Sequence, residues 1–220
     1  MFLGHYGVAF ACKRLAPRTS LGTFTFAAQF LDELWPILLI LGVEHVRIDP
    51  TYMPANPLVF TSYPFSHSLA MAIVWGVLIG GVYLVKRHDG RAALLLGAAV
   101  VSHWFLDVPM HAPDLPLWPG SPIKIGFGLW NSVPASIVIE LVCFGAGLWV
   151  YLATTRTRDR IGHWALWTLV VVLLAIFISG FVAPPPASES AVGWSALVLW
   201  LFIPWAAWAD RHREVIPLDG

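Results

Sequence analysis

His163–Ala183 reads HWALWTLVVVLLAIFISGFVA, 21 residues without one Asp, Glu, Lys or Arg. A helix needs about 20 mostly apolar residues to cross the hydrocarbon core of a bilayer, so this stretch alone places the chain in a membrane. Outward from it, Leu21–Val43, Phe65–Val85, Arg91–Val108, Val133–Ala153 and Val192–Ala209 have the same character, which makes six predicted spans. Phe2–Leu15 is apolar but too short to cross, and is expected to be a re-entrant or half-membrane helix packed against protein. The predicted fold class is all-α: a polytopic transmembrane helical bundle of about six spanning helices with that short N-terminal helix added. Residues 1–220 read as a single integral membrane domain, without internal repeats or low-complexity segments.

Composition agrees. Hydrophobic residues make up 58% and charged residues 12%, where a soluble domain carries about 25% charged residues. A mean hydropathy of +0.72 is too high for a small soluble chain, which keeps much of its surface in water. Soluble, disordered and disulfide-rich secreted classes are excluded. The 13 basic and 13 acidic side chains cancel, so no basic footprint for nucleic acid exists. Twelve Trp residues fit a chain with two membrane–water interfaces. Cys12 and Cys143 sit in apolar stretches and read as small buried hydrophobes. Lys13 and Arg14 follow the first apolar run instead of preceding it, which is the wrong order for a signal peptide.

Charge asymmetry orients the bundle. Lys13, Arg14, Arg18, Lys86, Arg87, Arg91, Arg156, Arg158, Arg160, Arg211 and Arg213 fall on one face, leaving Arg47 and Lys124 on the other. Lys- and Arg-rich loops stay cytoplasmic. The expectation is a multi-pass protein of the bacterial inner (cytoplasmic) membrane with both termini cytoplasmic. The loops Glu44–Pro64, Pro109–Ser132 and Pro184–Ser190 would then face outward.

Ionisable groups inside a membrane are expensive and tend to face a cavity, a partner or an ion. His88, His163 and His212 sit among the cytoplasmic arginines, but His5, His45, His67, His103 and His111 fall in or beside apolar segments, accompanied by Asp32, Glu44 and Asp107. In Ser102-His103-Trp104-Phe105-Leu106-Asp107 the His and Asp are four apart, so both project from one helix face. Pro109 disfavours helix at Val108, so His111 is expected to enter from a turn. Helix rise brings Asp32, His67 and the His103–Asp107 pair to one depth in the outer half of the bilayer, with His5 deeper but within reach. Imidazole and carboxylate without thiolate suit Zn, Mn or Fe, and the surplus over four ligands permits two metals. The alternatives are a His103–Asp107 pair that neutralises itself and histidines that pack by hydrogen bonds.

Weaker signals accompany these. Ser66 and Ser68, flanking His67, read as a helix cap and a packing residue, and Ser132 as a cap. Glu140, in mid-span, reads as a carboxylate bonded to a Ser, Trp or His of a neighbouring helix, or as one orienting a ligating His. Trp194, Trp200, Trp205 and Trp208 read as lipid-facing or packing surface.

Gly4-His5-Tyr6-Gly7, Ala27-Ala28-Gln29-Phe30-Leu31-Asp32, Tyr63-Pro64-Phe65-Ser66-His67-Ser68-Leu69 and Ser102–Asp107 resemble a group of bacterial integral membrane proteins labelled metal-dependent hydrolases or permeases. That group is akin to the family labelled LexA-binding, inner-membrane-associated hydrolases. The resemblance covers almost the whole chain, including Gly128-Leu129-Trp130-Asn131-Ser132 and Asp210-Arg211-His212-Arg213. The order of these residues is also remotely similar to the zinc-dependent phospholipase C pattern. That similarity implies His5, Asp32, His67, His103 and Asp107 as metal ligands, with His111 a further candidate. The broader family carries HRG-like residues where Pro64 and Phe65 stand here, so an Arg contact to substrate is missing.

The expected function is that of an inner-membrane metal-dependent hydrolase acting on a membrane lipid or other lipid-linked or amphiphilic ester, phosphoester ahead of amide. A divalent ion would be its cofactor, zinc first, with Mn or Fe as alternatives. Asp32 would ligate or act as general base, and His111 would protonate the leaving group. Two other classes compete: a non-catalytic accessory subunit of a larger membrane protein complex, and a proton-coupled transporter using the buried His and Asp residues as a relay.

Overall fold

The computed structural model describes residues 1–216; residues 217–220, which the single-domain reading also takes in, lie outside the described residues. The short first helix is α1 (Leu3–Leu15). The first five spans are α2 (Leu21–Ile40), α3 (Leu69–Arg87), α4 (Gly90–Met110), α5 (Val133–Thr154) and α6 (Arg160–Val182). The sixth is a helical path from Glu189 to Arg211, made of α7 (Glu189–Ala196), a 3₁₀ turn (Leu197–Leu201) and α8 (Phe202–Arg211). Among the described residues six helices are long and apolar enough to cross a membrane. The all-α multi-span class therefore holds.

Each of the six spans starts where a short polar side chain can take an orphan N–H. The Ser20 hydroxyl accepts from Gly22 N (3.2 Å), Asp89 from Ala92 N (3.0 Å), Asp159 from Gly162 N (2.9 Å) and Ser188 from Ala191 N (3.1 Å). Ser132 caps α5 as expected, 3.4 Å from Ala135 N. Two boundaries differ from expectation. The second span begins at Leu69, four residues after Phe65, because Ser68 is its N-cap and the preceding turn is tied down elsewhere. The helix of α4 also runs through Pro109 to Met110. Pro109 falls in its last turn, and His111 N still bonds Asp107 O at 3.0 Å. His111 is thus the helix C-cap, held in register with Asp107.

Lipid tails are as apolar as leucine, so the bundle relies on close backbone approach rather than on hydrophobic exclusion. Glycine supplies it at two crossings. A Cβ on Gly76 of α3 would stand 2.8 Å from Gly97 O of α4, and one on Gly7 of α1 would collide with the Cys143 carbonyl of α5. One core cluster joins α2 and α4 through Leu31, Leu96, Val100 and Trp104; the other joins α1, α5, α6 and α8 through Phe10, Phe144, Leu166 and Phe202. Exposed Val77, Leu94, Val138, Trp149 and Val171 cover the outside, as a lipid-facing surface requires.

Lys13, counted among the basic residues of the cytoplasmic face, is buried there. Its Nζ lies 2.6 Å from Asp210 Oδ2 and 3.0 Å from Thr19 O, while Asp210 also accepts from Tyr151 OH (2.9 Å) and Leu21 N (3.0 Å). This internal ion pair ties α1, α2, α5 and α8 together at one end. A small antiparallel pair, Thr155–Thr157 with Arg213–Val215, closes that end. At the opposite end, His45–Ile48 pairs antiparallel with Leu58–Ser62, and Leu115–Pro116 with Lys124–Ile125. The loops are joined there through Ala55 N to Trp130 O (3.0 Å) and Ala70 N to Leu117 O (2.9 Å). These links set the turns that carry His67 and His111 over the helix ends.

Candidate metal centre

Four segments bring imidazole and carboxylate groups to one place. His5 comes from α1, Asp32 from α2, His67 from the turn before α3, and His103 and Asp107 from α4, with His111 at its end. Asp107 is central. Its oxygens lie 3.2 Å from His5 Nε2, 3.4 Å from His103 Nε2, 3.8 Å from His67 Nε2 and 4.0 Å from His111 Nε2. The amino group of Met1 also pairs with it. Asp32 Oδ1 stands 3.4 Å from His67 Nε2 and 3.6 Å from His103 Nε2. His5, His103 and Asp107 each offer an atom within 4.8 Å of the others, and so do Asp32, His67 and His103.

Hydrogen bonds behind the rings fix which nitrogen faces the cluster. A carbonyl oxygen only accepts, so His103 Nδ1 donates to Ala28 O at 2.8 Å. His67 Nδ1 lies 2.7 Å from Ser66 Oγ, whose own hydroxyl donates to Glu44 Oε2 at 2.6 Å. His111 Nδ1 donates to Asp114 Oδ1 at 3.0 Å, and Tyr63 OH donates to the same oxygen. When neutral, each of these rings points its Nε2 lone pair at a carboxylate. Lone pair against anion is repulsive and a cation relieves it; the Met1 ammonium supplies one such charge at Asp107, and a bound ion would supply another. His5 and His103 also stack at 3.5 Å with planes 8° apart, so charging both rings by protonation would set two like charges face to face. Both ring nitrogens of His5 and the Nε2 of His103 are buried without a hydrogen-bond partner, and the His5–Asp107 contact is close but poorly directed.

Several residues differ from their expected roles. Ser66 is no cap: with Glu44, which also accepts from Phe65 N (2.7 Å) and Ser66 N (2.9 Å), it anchors the His67 turn. Among the described residues Glu140 bonds no side chain but accepts from Phe2 N (2.7 Å) and Gly4 N (2.9 Å), capping α1 from a neighbouring helix. His45 is outside the cluster altogether, exposed on its strand with Nδ1 3.1 Å from Glu189 Oε1. The Trp stripe keeps its expected character: Trp200 and Trp205 donate to Glu33 O and Ala165 O, and Trp194, Trp200 and Trp208 are exposed. Asp114 was not legible, because only the fold of the Pro113–Pro116 loop brings it under His111. Its i,i+3 spacing from His111 is the one signal that could have found it. Glu33, next to Asp32, is buried with both oxygens unpartnered and was also missed.

Outside the spanning segments the electrostatics follow burial. Desolvation holds the imidazolium form of His111 below its ordinary range, against the opposing pull of Asp114 and Asp107. Burial first, and then the Asp114 charge, push the Tyr63 phenol well above its usual range, so it stays a donor. Trp130 covers the other side of His111, with ring centroids 4.3 Å apart.

A family model described as YdjM inner membrane protein matches residues 1–185. The chain belongs to that family. It is accordingly a multi-pass inner-membrane protein, and the matched YdjM region contains every residue of the cluster. No curated protein and no solved structure matches the chain.

The donor set fits a divalent ion. It offers imidazole nitrogens and carboxylate oxygens at mutual distances an ion could bridge, and three of the rings are oriented by hydrogen bonds at the far nitrogen, as metal-bound histidines are. A cavity of about 780 Å³ reaches Asp32, His67, Asp107 and His111, so the ionic cluster is open to it.

Proposed function

We propose that the protein is an inner-membrane metal-dependent hydrolase whose ion is held by His5, Asp32, His67, His103 and Asp107, and whose substrate is an amphiphilic ester, phosphoester ahead of amide. The reading is carried by one observation: three rings whose Nδ1 protons are committed elsewhere aim their Nε2 atoms at Asp32 and Asp107. The chemistry that a zinc, manganese or iron ion supplies in such a donor set is Lewis-acid polarisation of an ester or phosphoryl oxygen and acidification of water.

The chain's own groups account for the rest. Of the two cluster carboxylates that line the cavity Asp32 is the more exposed, its side chain 22% accessible against 1% for Asp107. It is therefore placed to take a proton from an attacking water. His111 carries a proton on Nδ1 toward Asp114 and turns Nε2 to the cavity, so once protonated it can hand that proton to a leaving oxygen. Asp114 and Tyr63 hold its orientation, and Trp130 and Phe60 exclude water from its faces. On the charge distribution, the end carrying Lys13, Arg14, Arg18 and Arg213 is assigned to the cytoplasm and the cluster to the outer half of the bilayer; the Met1 amino group, paired with Asp107, then lies with the cluster, which departs from the expectation of a cytoplasmic N-terminus.

The test is hydrolysis of a chromogenic long-chain alkyl phosphodiester by zinc-loaded protein in detergent. Turnover that chelator abolishes and Asp107→Ala eliminates, with His163→Ala unchanged at the far end, is the expected result. Loaded protein that cleaves neither phosphoester nor carboxylic ester would overturn the reading.

A further inference from the structure

The cavity that reaches the cluster changes character along its length. At one end stand Asp32, His67, Asp107 and His111; at the other the walls are mostly apolar, with the hydroxyls of Ser179 and Ser195 bonded to carbonyls of their own helices. One wall is the last third of α6. The buried residues of α6 stop at Leu173, and beyond them Ile176, Phe177 and Phe181 line the cavity. The facing wall is Val192, Ala196 and Leu199, in α7 and the turn after it. Pro184, Pro185 and Pro186 join the two walls. Proline has no N–H to draw one wall onto the other, and a run of it forms a stiff extended spacer. At Gly180 a Cβ would meet nothing within 4 Å.

These walls belong to membrane-spanning helices, so the gap between them faces sideways toward lipid, while Met53, Pro54 and Pro57 of the Glu44–Pro64 loop and Pro184–Pro186 also line the cavity. An apolar space offers water too few partners to hold it, and at this depth the molecules at hand are lipid chains. Ionic chemistry at one end of a continuous space and an apolar slot at the other match an amphiphile laid lengthwise.

We propose that the gap between α6 and α7 is a lateral groove for the hydrocarbon chain of an anionic amphiphile, which slides in from the bilayer with its phosphate or carboxylic-ester head at the His/Asp cluster. The proposal rests on the hydrolase reading for the head and adds where the chain lies and by which route the substrate arrives. Substrate drawn sideways from the leaflet never crosses water, and its chain fixes the head in register with Asp32 and His111.

The experiment uses the full chain in phosphatidylcholine nanodiscs with hexadecyl phosphate carrying a terminal diazirine. After photolysis, labelled residues are mapped by mass spectrometry, and metal content is measured on the same sample. Labels concentrated on Ile176–Phe181 and Val192–Leu199 are expected, with loss of that labelling in Gly180→Trp and Ala196→Trp. Metal content and thermal stability of both variants should equal wild type, which shows them folded. Labels spread evenly over lipid-facing Val77, Leu94 and Trp149, or groove labels that survive both substitutions, would overturn the groove. Groove labelling in protein that binds no metal would sustain the groove and sink the hydrolase; metal at whole-number occupancy without groove labelling would do the reverse.

Discussion

Asp107→Ala removes the carboxylate that lies within 3.2–4.0 Å of His5, His103, His67 and His111; His103→Ala removes the ring that bridges toward both carboxylates. If both residues hold one ion, each single substitution empties the site. Binding at a hundred times Kd contributes about 2.7 kcal/mol of stability, so each single variant should lose roughly that much and stop responding to chelator. The double variant should be little worse than either, because the site is already empty and contacting residues are not additive. If His103 and Asp107 merely neutralise each other, the pattern inverts. Each single leaves a buried charge unmatched, at about 3–5 kcal/mol, and the double recovers. Thermal unfolding of wild type and the three variants in detergent, with and without chelator, separates the two. A double variant more stable than both singles, with wild type indifferent to chelator, would refute the metal site.

Ser66→Ala should weaken metal affinity about 10- to 100-fold, as loss of a hydrogen bond behind a ligating ring does, while Glu44 keeps the backbone donors Phe65 N and Ser66 N and the turn stays folded; competition with a fluorescent chelator measures it. Lys13→Met should destabilise by about 3–5 kcal/mol by stranding Asp210, and Asp210→Asn added to it should restore much of the loss, read by denaturation in detergent. Reporter fusions after Arg87, Arg160 and Arg213 should report cytoplasm and one after Pro119 the outside; a periplasmic signal at Arg160 would reverse the orientation.

The spans were legible because a membrane demands long apolar runs, and such runs survive in one dimension. Helix rise does the same for depth, which is why Asp32, His67, His103 and Asp107 could be grouped before any contact was seen; His5 lay deeper but within reach and joined the ligand set through the resemblance. What escaped depends on loops. Asp114 meets His111 only because the 113–116 segment folds back, and Glu44 reaches Ser66 across a hairpin. Glu140 was sought as a partner of side chains, whereas the backbone N–H groups of Phe2 and Gly4 are what a helix start leaves unpaired. His45 misled for the opposite reason: it adjoins an apolar run, but the strand it occupies turns it outward to Glu189. Helical periodicity constrains neither case.

Elemental analysis of full-length protein, purified in detergent without chelator, tests the central claim most directly. The account predicts close to a whole number of zinc, manganese or iron equivalents per chain, falling to background in Asp107→Ala. Natively folded wild type with less than about 0.3 equivalents of any transition metal, where an intact site should approach full occupancy, would contradict it.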